Sequence, residues 1–394
     1  MWSIVAFSAF VTVVTGLVSF DEIGLVVDLD VILFLIGMFS LVSLAESSGL
    51  LSALSTWFIG RFRSRYSVVY ASSITFGALA AFAVNDTVAL MGPPIAYTIS
   101  RATGVDPKMM FLLLAYSLTV GSAMTPVGNP QNVLIAVESG IPAPFVQFAV
   151  VLTVPTLINL ALVPLILLKV FRVENRPVAV AMVPHELIRD RRDAVLAGLG
   201  LLTTVVALVA NDLAELLNLP HVTRRGFIPF IVAAGTYVLS RNPRAVLAGV
   251  DWGTIVFFIA MFITMEGVWR SGILQPLLTL VLPGRLGKVE SVLTVTLLSI
   301  LLSQVLSNVP LVKLSMEFLK SCGYGPSDTN VWLALAATST IAGNLTILGA
   351  ASNIIVLETL ESRMGTSITY TEFLKVGAVV TLVNTLVYLP FLLV

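Results

Sequence analysis

The sequence predicts an all-α polytopic membrane protein, and three observations carry that reading. Of 394 residues, 57% are hydrophobic and only 11% charged, against roughly 25% charged in a soluble domain. Mean hydropathy is +0.99. Apolar runs long enough to cross ~30 Å of hydrocarbon recur from Trp2 to Val394. A transmembrane barrel would need ~10-residue alternating segments, and the stretch 194–210 does not alternate. In detail, the expected fold is two inverted repeats, each with a re-entrant hairpin and a broken transmembrane helix, about nine crossings in all besides the hairpins.

The first run, Trp2 to Phe20, has no basic start and no small-residue cleavage site after it, so it reads as a retained span within an N-terminal unit, 1–27. Two repeats then align. Phe34-Leu-Ile-Gly-Met38-Phe39 matches Phe257-Phe-Ile-Ala-Met261-Phe262, Asp28 matches Asp251, Ser48-Gly49 matches Ser271-Gly272, and Asn85 matches Asn308. Further on, Thr125, Gly128 and Asn132 fall on Thr346, Gly349 and Asn353, and Phe148 and Asn159 on Phe373 and Asn384. The repeats occupy 28–170 and 251–394, and the linker 171–250 carries two further spans near 194–211 and 226–239. Repeats of this kind are typical of secondary transporters, whose binding site lies between the halves.

Basic residues set the orientation. Arg61, Arg63 and Arg65 precede an apolar stretch whose far end carries Arg101 and Lys108, and the stretch between is interrupted at Asn85-Asp86 and at Pro93-Pro94. With both basic ends cytoplasmic, residues 66–101 enter and return as a hairpin whose tip is near Asn85; arms of about 15 to 18 residues favour re-entry over two full crossings. The broken helix 108–138 crosses outward and 145–168 crosses back, to a linker marked by Lys169, Arg172, Arg176, Arg189, Arg191 and Arg192. The second hairpin, 289–320, then opens to the outside. The N-terminus lies in the cytoplasm, and the chain sits in the cell's inner membrane. Segments after Ser48 and Ser271 read as short interfacial helices, and His185 as a loop residue.

Four polar breaks stand out, two per repeat: Val84-Asn85-Asp86-Thr87 and Ser307-Asn308-Val309-Pro310 at the tips, and Thr125-Pro126-Val127-Gly128-Asn129-Pro130-Gln131-Asn132 and Thr346-Ile347-Leu348-Gly349-Ala350-Ala351-Ser352-Asn353 in the broken helices. A helix broken in the membrane leaves N–H groups unpaired at one end and C=O groups at the other, and lipid cannot satisfy them. Helix N-termini attract polar or anionic cargo, and carbonyl and amide oxygens suit a small cation such as sodium. The substrate candidates are therefore Asn85, Thr87, Thr125, Asn129, Asn132, Asn308, Thr346, Ser352 and Asn353. The ion-coupling candidates are Asp86, Asn85, Gly128, Ser307, Asn308 and Gly349, with sodium at the tips or a proton as coupling ion. An ionised carboxylate is costly inside a bilayer, which makes Asp86 the candidate proton carrier; capping the second arm is its structural alternative. Its repeat mate is Val309. A charged Asp86 would repel an anion, a conflict that a neutral oxyacid escapes.

Lys313 and Glu317 are spaced for an ion pair on one helical face, and Glu46, Glu138, Glu266 and Glu358 are read as structural. Balanced charge, 22 basic against 22 acidic residues, offers no face for nucleic acid, and one cysteine and two histidines make no disulfide and no typical metal or haem site. No nucleophile–base pair points to an enzyme, and no cofactor is expected.

The segments Asn85-Asp-Thr-Val-Ala-Leu90, Gly128-Asn-Pro-Gln-Asn132, Gly343-Asn-Leu-Thr-Ile-Leu-Gly-Ala-Ala-Ser-Asn353 and Glu372-Phe-Leu-Lys-Val-Gly377 resemble the ArsB/NhaD group of the ion transporter superfamily, relatives of divalent-anion/sodium symporters, citrate carriers, the P protein and silicic-acid effluxers. The resemblance covers about 28–394. It implies a scaffold and a transport domain per protomer, a homodimer and elevator-type alternating access. It also implies substrate held by tip Asn and Thr side chains, with sodium held by tips and broken-helix loops. Asn85 and Asn308 match the tip amides, Ser307 the second serine, and Gly128 and Gly349 the loop glycines, while Val84, Asp86 and Val309 depart from the symporter pattern. Asn-Asp at the first tip is closer to the arsenite-pump and silicic-acid branch, where efflux is linked to protons. The function expected is ion-coupled transport of a small anion or inorganic oxyacid such as arsenite or silicate. The alternatives are a sodium/proton antiporter of the NhaD kind and a sodium-coupled di- or tricarboxylate carrier.

Overall fold

The computed structural model describes residues 2–178, 184–276 and 284–394, and among them the chain is helical with no strand. Six helices are long and apolar enough to cross a membrane: Leu29–Ser47, Arg65–Ala83, Pro144–Val170, Arg191–Leu216, Trp252–Ser271 and Tyr370–Leu393. The protein is therefore an integral, multi-pass membrane protein.

Helix α1 (Trp2–Val14) precedes α2 (Leu29–Ser47), which Asp28 caps by accepting from the Asp30 and Val31 amides. Gly49, at φ +80, turns the chain into the short α3 (Leu50–Ile59), the interfacial helix expected after Ser48. Its counterpart after Ser271 falls mostly on residues outside those described. Next come α4 (Arg65–Ala83) and α5 (Asn85–Thr103), split only at Val84; then α6 (Pro107–Ser122), a single turn at Pro126–Gly128, α7 (Pro130–Glu138) and α8 (Pro144–Val170). The linker contributes a short turn at Pro184–Leu187, which contains His185, and the helices α9 (Arg191–Leu216) and α10 (Phe227–Leu239). The second half follows the order of the first: α11 (Trp252–Ser271), α12 (Lys288–Leu302), α13 (Asn308–Ser321), α14 (Thr329–Ile341), a turn at Ile347–Gly349, α15 (Ala351–Met364) and α16 (Tyr370–Leu393). Asp251 caps α11 as its repeat mate Asp28 caps α2.

Two sequence expectations need correction. The helix after the first tip does not break at Pro93-Pro94 but runs through both to Thr103. Each proline removes one donor, and membrane helices tolerate this where neighbours re-satisfy the freed carbonyls. The arms of the first hairpin are 19 residues each, not 15 to 18, which at 1.5 Å per residue is about 28 Å. Arm length therefore does not separate a re-entrant hairpin from a crossing pair. The second hairpin is shorter, with arms of 15 and 14 residues.

The halves pack reciprocally: α5 lies against α15, and α13 against α7. They also meet along α8 and α16, where repeat mates touch. Asn159 Nδ2 donates to the Asn384 carbonyl at 3.3 Å, and the Thr156 and Tyr388 hydroxyls are 2.6 Å apart. Phe148 of α8 and Phe373 and Tyr388 of α16 are fully buried, as are Tyr116 of α6 and Trp332 of α14. At the far end of α9, Asp212 is fully buried. It accepts from the Phe145 and Val146 amides at 2.6 and 3.2 Å and from Arg225 Nε at 3.1 Å, so α9 clamps the start of α8.

Candidate transport site

In each broken helix the chain closes its own gap with the same side chain. Asn132 donates from Nδ2 to the Ser122 and Thr125 carbonyls at 3.2 and 3.3 Å. Asn353 donates to the corresponding carbonyls, Gly343 and Thr346, at 2.7 and 3.3 Å. An interrupted helix leaves such carbonyls without i+4 donors; the Gly128 and Gly349 amides also reach Thr125 and Thr346, at 3.3 and 3.1 Å, and Asn129 Nδ2 reaches Ser122 at 3.1 Å. Both asparagines are fully buried. The turn is tight: a Cβ on Gly128 would sit 2.2 Å from the Ser122 carbonyl oxygen, and one on Gly349 3.0 Å from Gly343 Cα.

The neighbouring candidates are occupied in similar ways. Thr125 Oγ1 accepts from the Gly128 amide at 3.1 Å and donates to the Ala81 carbonyl of the first hairpin. Thr346 Oγ1 donates to Gln304 Oε1 of the second hairpin at 2.7 Å. Asn129 Oδ1 caps α7 through the Asn132 amide, and its Nδ2 reaches Thr340 Oγ1 at 3.1 Å. Ser352 is buried, and its hydroxyl has no hydrogen-bond partner. Thr87, half-buried one residue past Asp86, is not part of the cavity wall.

The tips converge. A cavity of about 600 Å³ is walled by Asn85 and Asp86 of the first tip and Ser307, Asn308 and Val309 of the second. Pro130 and Gln131 at the start of α7, Leu348 to Ala351 of the second broken helix, Asp251 to Thr254 at the start of α11, and Trp2 of α1 complete the polar and aromatic wall, with Phe257 and Phe258 on its apolar side. Asn85 is only 8% exposed, and its Oδ1 has no partner; Asn308 Oδ1 accepts from Ser303 Oγ at 2.7 Å. Of the residues singled out in the sequence, the structure thus brings Asn85, Asp86, Ser307, Asn308 and Gly349 to one cavity. It places Thr125, Gly128, Asn129, Asn132, Thr346, Ser352 and Asn353 behind the wall.

Sequence reasoning missed Gln131 and Asp251 as members of the wall. Gln131 lay inside a motif already singled out, and its position in the first turn of α7 was the available signal. Asp251 read only as a repeat match of Asp28.

Charge bookkeeping follows from the wall. Five helices begin there, at Asn85, Pro130, Trp252, Asn308 and Ala351, and each N-terminus presents roughly +0.5 of an elementary charge, about +2.5 together. Asp86 and Asp251 supply up to two negative charges, and among the described residues of the wall none is basic. A second charged cluster lies apart. Lys313, mostly buried, pairs with Glu138 at 2.6 Å and with Glu317 at 3.1 Å, so the expected i, i+4 pair is present and Glu138 joins it from α7. Glu266 pairs with Arg270 at 2.6 Å.

A many-helix membrane chain whose interrupted helices start at a shared polar cavity is the architecture of a secondary transporter. The chain belongs to the citrate transporter family, whose profile matches residues 1–338. It is 27% identical over 370 residues to the uncharacterized transporter Rv2684 of Mycobacterium tuberculosis, covering 91% of this chain and 84% of that one. It is 24% identical over 447 residues to the silicon efflux transporter LSI3 of rice, Oryza sativa subsp. japonica, covering 98% of this chain and 90% of that one. In fold it is similar to the YdaH transporter of Alcanivorax borkumensis, with a TM-score of 0.56 at 16% identity, over 92% of this chain and 84% of that one.

Proposed function

We propose that the protein moves a small, uncharged inorganic oxyacid, of which arsenous and silicic acid are the types, coupled to protons through Asp86. The charge balance of the cavity carries this reading. About +2.5 from helix N-termini against two carboxylates leaves a nearly neutral site whose lining holds both donors and acceptors. Such a site suits a hydroxylated acid that accepts at its oxygens and donates from its hydroxyls. The rice relative's name, silicon efflux transporter, points the same way. A di- or tricarboxylate would meet no basic side chain among the described wall residues, which disfavours that carrier reading.

In this reading Asn85, Asp86, Ser307, Asn308 and the Gly349 backbone touch cargo and coupling ion, and Thr125, Asn129, Asn132, Thr346 and Asn353 hold the breaks in shape. The repeats are inverted, the positive-inside rule puts the start of α11 in the cytoplasm, and the cavity opens to that side. Tips and broken helices move together against α2, α9, α10 and α11 in an elevator step, in a homodimer in the inner membrane. A second reading, a sodium/proton antiporter, is favoured by Asp86 beside the unpartnered oxygen of Asn85.

Purified protein in liposomes, offered arsenite, silicate, sulfate, phosphate and citrate under imposed pH or sodium gradients, separates the readings. Arsenite or silicate accumulation driven by a pH gradient is expected. Movement of cations with none of these solutes would replace the oxyacid reading by the antiporter. Asp86→Asn is expected to abolish proton-driven accumulation while leaving the size-exclusion profile intact; undiminished proton dependence in that variant removes Asp86 from the mechanism.

A further inference from the structure

Asp251 does two things at once. Its Oδ1 accepts from the Thr254 amide at 3.0 Å and its Oδ2 from the Thr254 hydroxyl at 2.6 Å, which caps α11. Capping needs only an acceptor, and asparagine serves as well as aspartate. The amide contact therefore does not by itself require the full negative charge, which the N-terminus of α11 also favours. The charge is placed on the wall of the cavity that also holds the two tips, next to Trp252, which is 43% exposed, and near Trp2, 54% exposed. The same cavity is lined by a group that lacks a partner: Asn85, more than nine-tenths buried, with an orphan Oδ1. An unpartnered oxygen acceptor and an extra carboxylate on one cavity favour a ligand that brings donors. Neither favours one that brings negative charge.

We propose that Asp251 is the charge filter of the transport cavity: it cancels part of the field of the helix N-termini and so admits neutral hydroxylated acids while excluding oxyanions. This rests on the reading of the cavity as the cargo site. Removing the charge leaves about +2.5 from the helix ends against Asp86 alone, a net positive site in which a monoanion such as phosphate competes. The titratable groups on the described wall are Asp86 and Asp251, so no basic residue masks the change.

Iodide quenching of tryptophan fluorescence tests the filter without any cargo. The background is Trp57→Phe, because Trp57 is half exposed beneath Arg61 and would report a cationic surface elsewhere. At low salt the iodide quenching of the cavity tryptophans should rise about fourfold in Asp251→Asn, the Boltzmann factor for two like unit charges ~5 Å apart in a water-like medium. Quenching by neutral acrylamide should stay the same, and Asp251→Glu should return the parent value. Unchanged iodide quenching overturns the filter; an equal rise with acrylamide overturns it too, by exposing a loosened helix. In liposomes, excess phosphate should inhibit arsenite uptake by Asp251→Asn and not by the parent. If neither protein moves arsenite while the iodide effect is present, the cargo assignment falls and the filter stands.

Discussion

Replacing Asn132 or Asn353 by leucine asks whether these amides close the broken helices or wait for cargo. Each side chain donates to two carbonyls at the break, at 3.2 and 3.3 Å for Asn132 and at 2.7 and 3.3 Å for Asn353. A buried carbonyl left without a donor costs about 1–3 kcal/mol, so Asn353→Leu, which strands the Gly343 carbonyl, should cost ~1–3 kcal/mol, offset in part by leucine's apolar surface. The two sites should not match fully. The Ser122 and Thr125 carbonyls keep the Asn129 side chain and the Gly128 amide as donors at 3.1 and 3.3 Å, and Thr340 Oγ1 keeps the Ala336 carbonyl at 2.7 Å, whereas Gly343 has Asn353 as its donor. Asn353→Leu should therefore be the more damaging. Unfolding in mixed micelles, followed by tryptophan fluorescence as SDS is added, reads both against the parent. A cost below about 0.5 kcal/mol for Asn353→Leu, a surface-like value, would refute the closing role and return that asparagine to the cargo.

Three further outcomes follow from the same kind of reasoning. Lys313→Met leaves Glu138 and Glu317 without their buried cation and should cost ~3–5 kcal/mol, most of it recovered by adding Glu138→Gln, in the same unfolding assay. Gly128→Ala drives a Cβ to 2.2 Å from a backbone oxygen and should yield no monodisperse protein by size exclusion; Gly235→Ala, in α10 with open space around it, should stabilise by ~0.5–1 kcal/mol. The Asp190 carboxyl is held below the usual carboxylate range, chiefly by the Asp193 amide at 3.1 Å, with the Arg192 amide at 2.8 Å and Arg241 nearby. Its contribution is present above the unfolded-state value, near pH 4, and is lost as pH falls through the lower folded one. Asp190→Ala should therefore lower the melting temperature at pH 7, and by progressively less as pH falls below about 4.

The helices were legible because apolar length and polar punctuation act locally. Asp28 and Asp251, Ser48-Gly49 and Ser271-Gly272, and Asn85 and Asn308 all stand at helix ends, where a single residue decides whether the next turn forms. Pro93-Pro94 misled because a proline's cost depends on neighbours that re-satisfy the freed carbonyls, and those come from tertiary packing. The site was half legible. The asparagines of tips and loops look alike in the sequence, yet Asn85 reaches the cavity and Asn132 turns back into its own helix break. That difference is set by which carbonyl is nearest, a matter of three-dimensional distance. Asp251 was hidden for the same reason, since α11 brings it to the tips from far along the chain.

The reciprocal packing of α5 on α15 and of α13 on α7 has the contact logic of a symmetric dimer, in which surface i meets j and j meets i. In a true dimer every substitution appears twice, so a carboxylate gained at one tip would be forced upon the other. With both halves in one chain, that coupling is gone: the first tip carries Asp86 where the second carries Val309. Physical fusion thus turns a symmetric frame into one whose two faces can be inherited and altered separately, and the asymmetry at the cavity is what that independence permits.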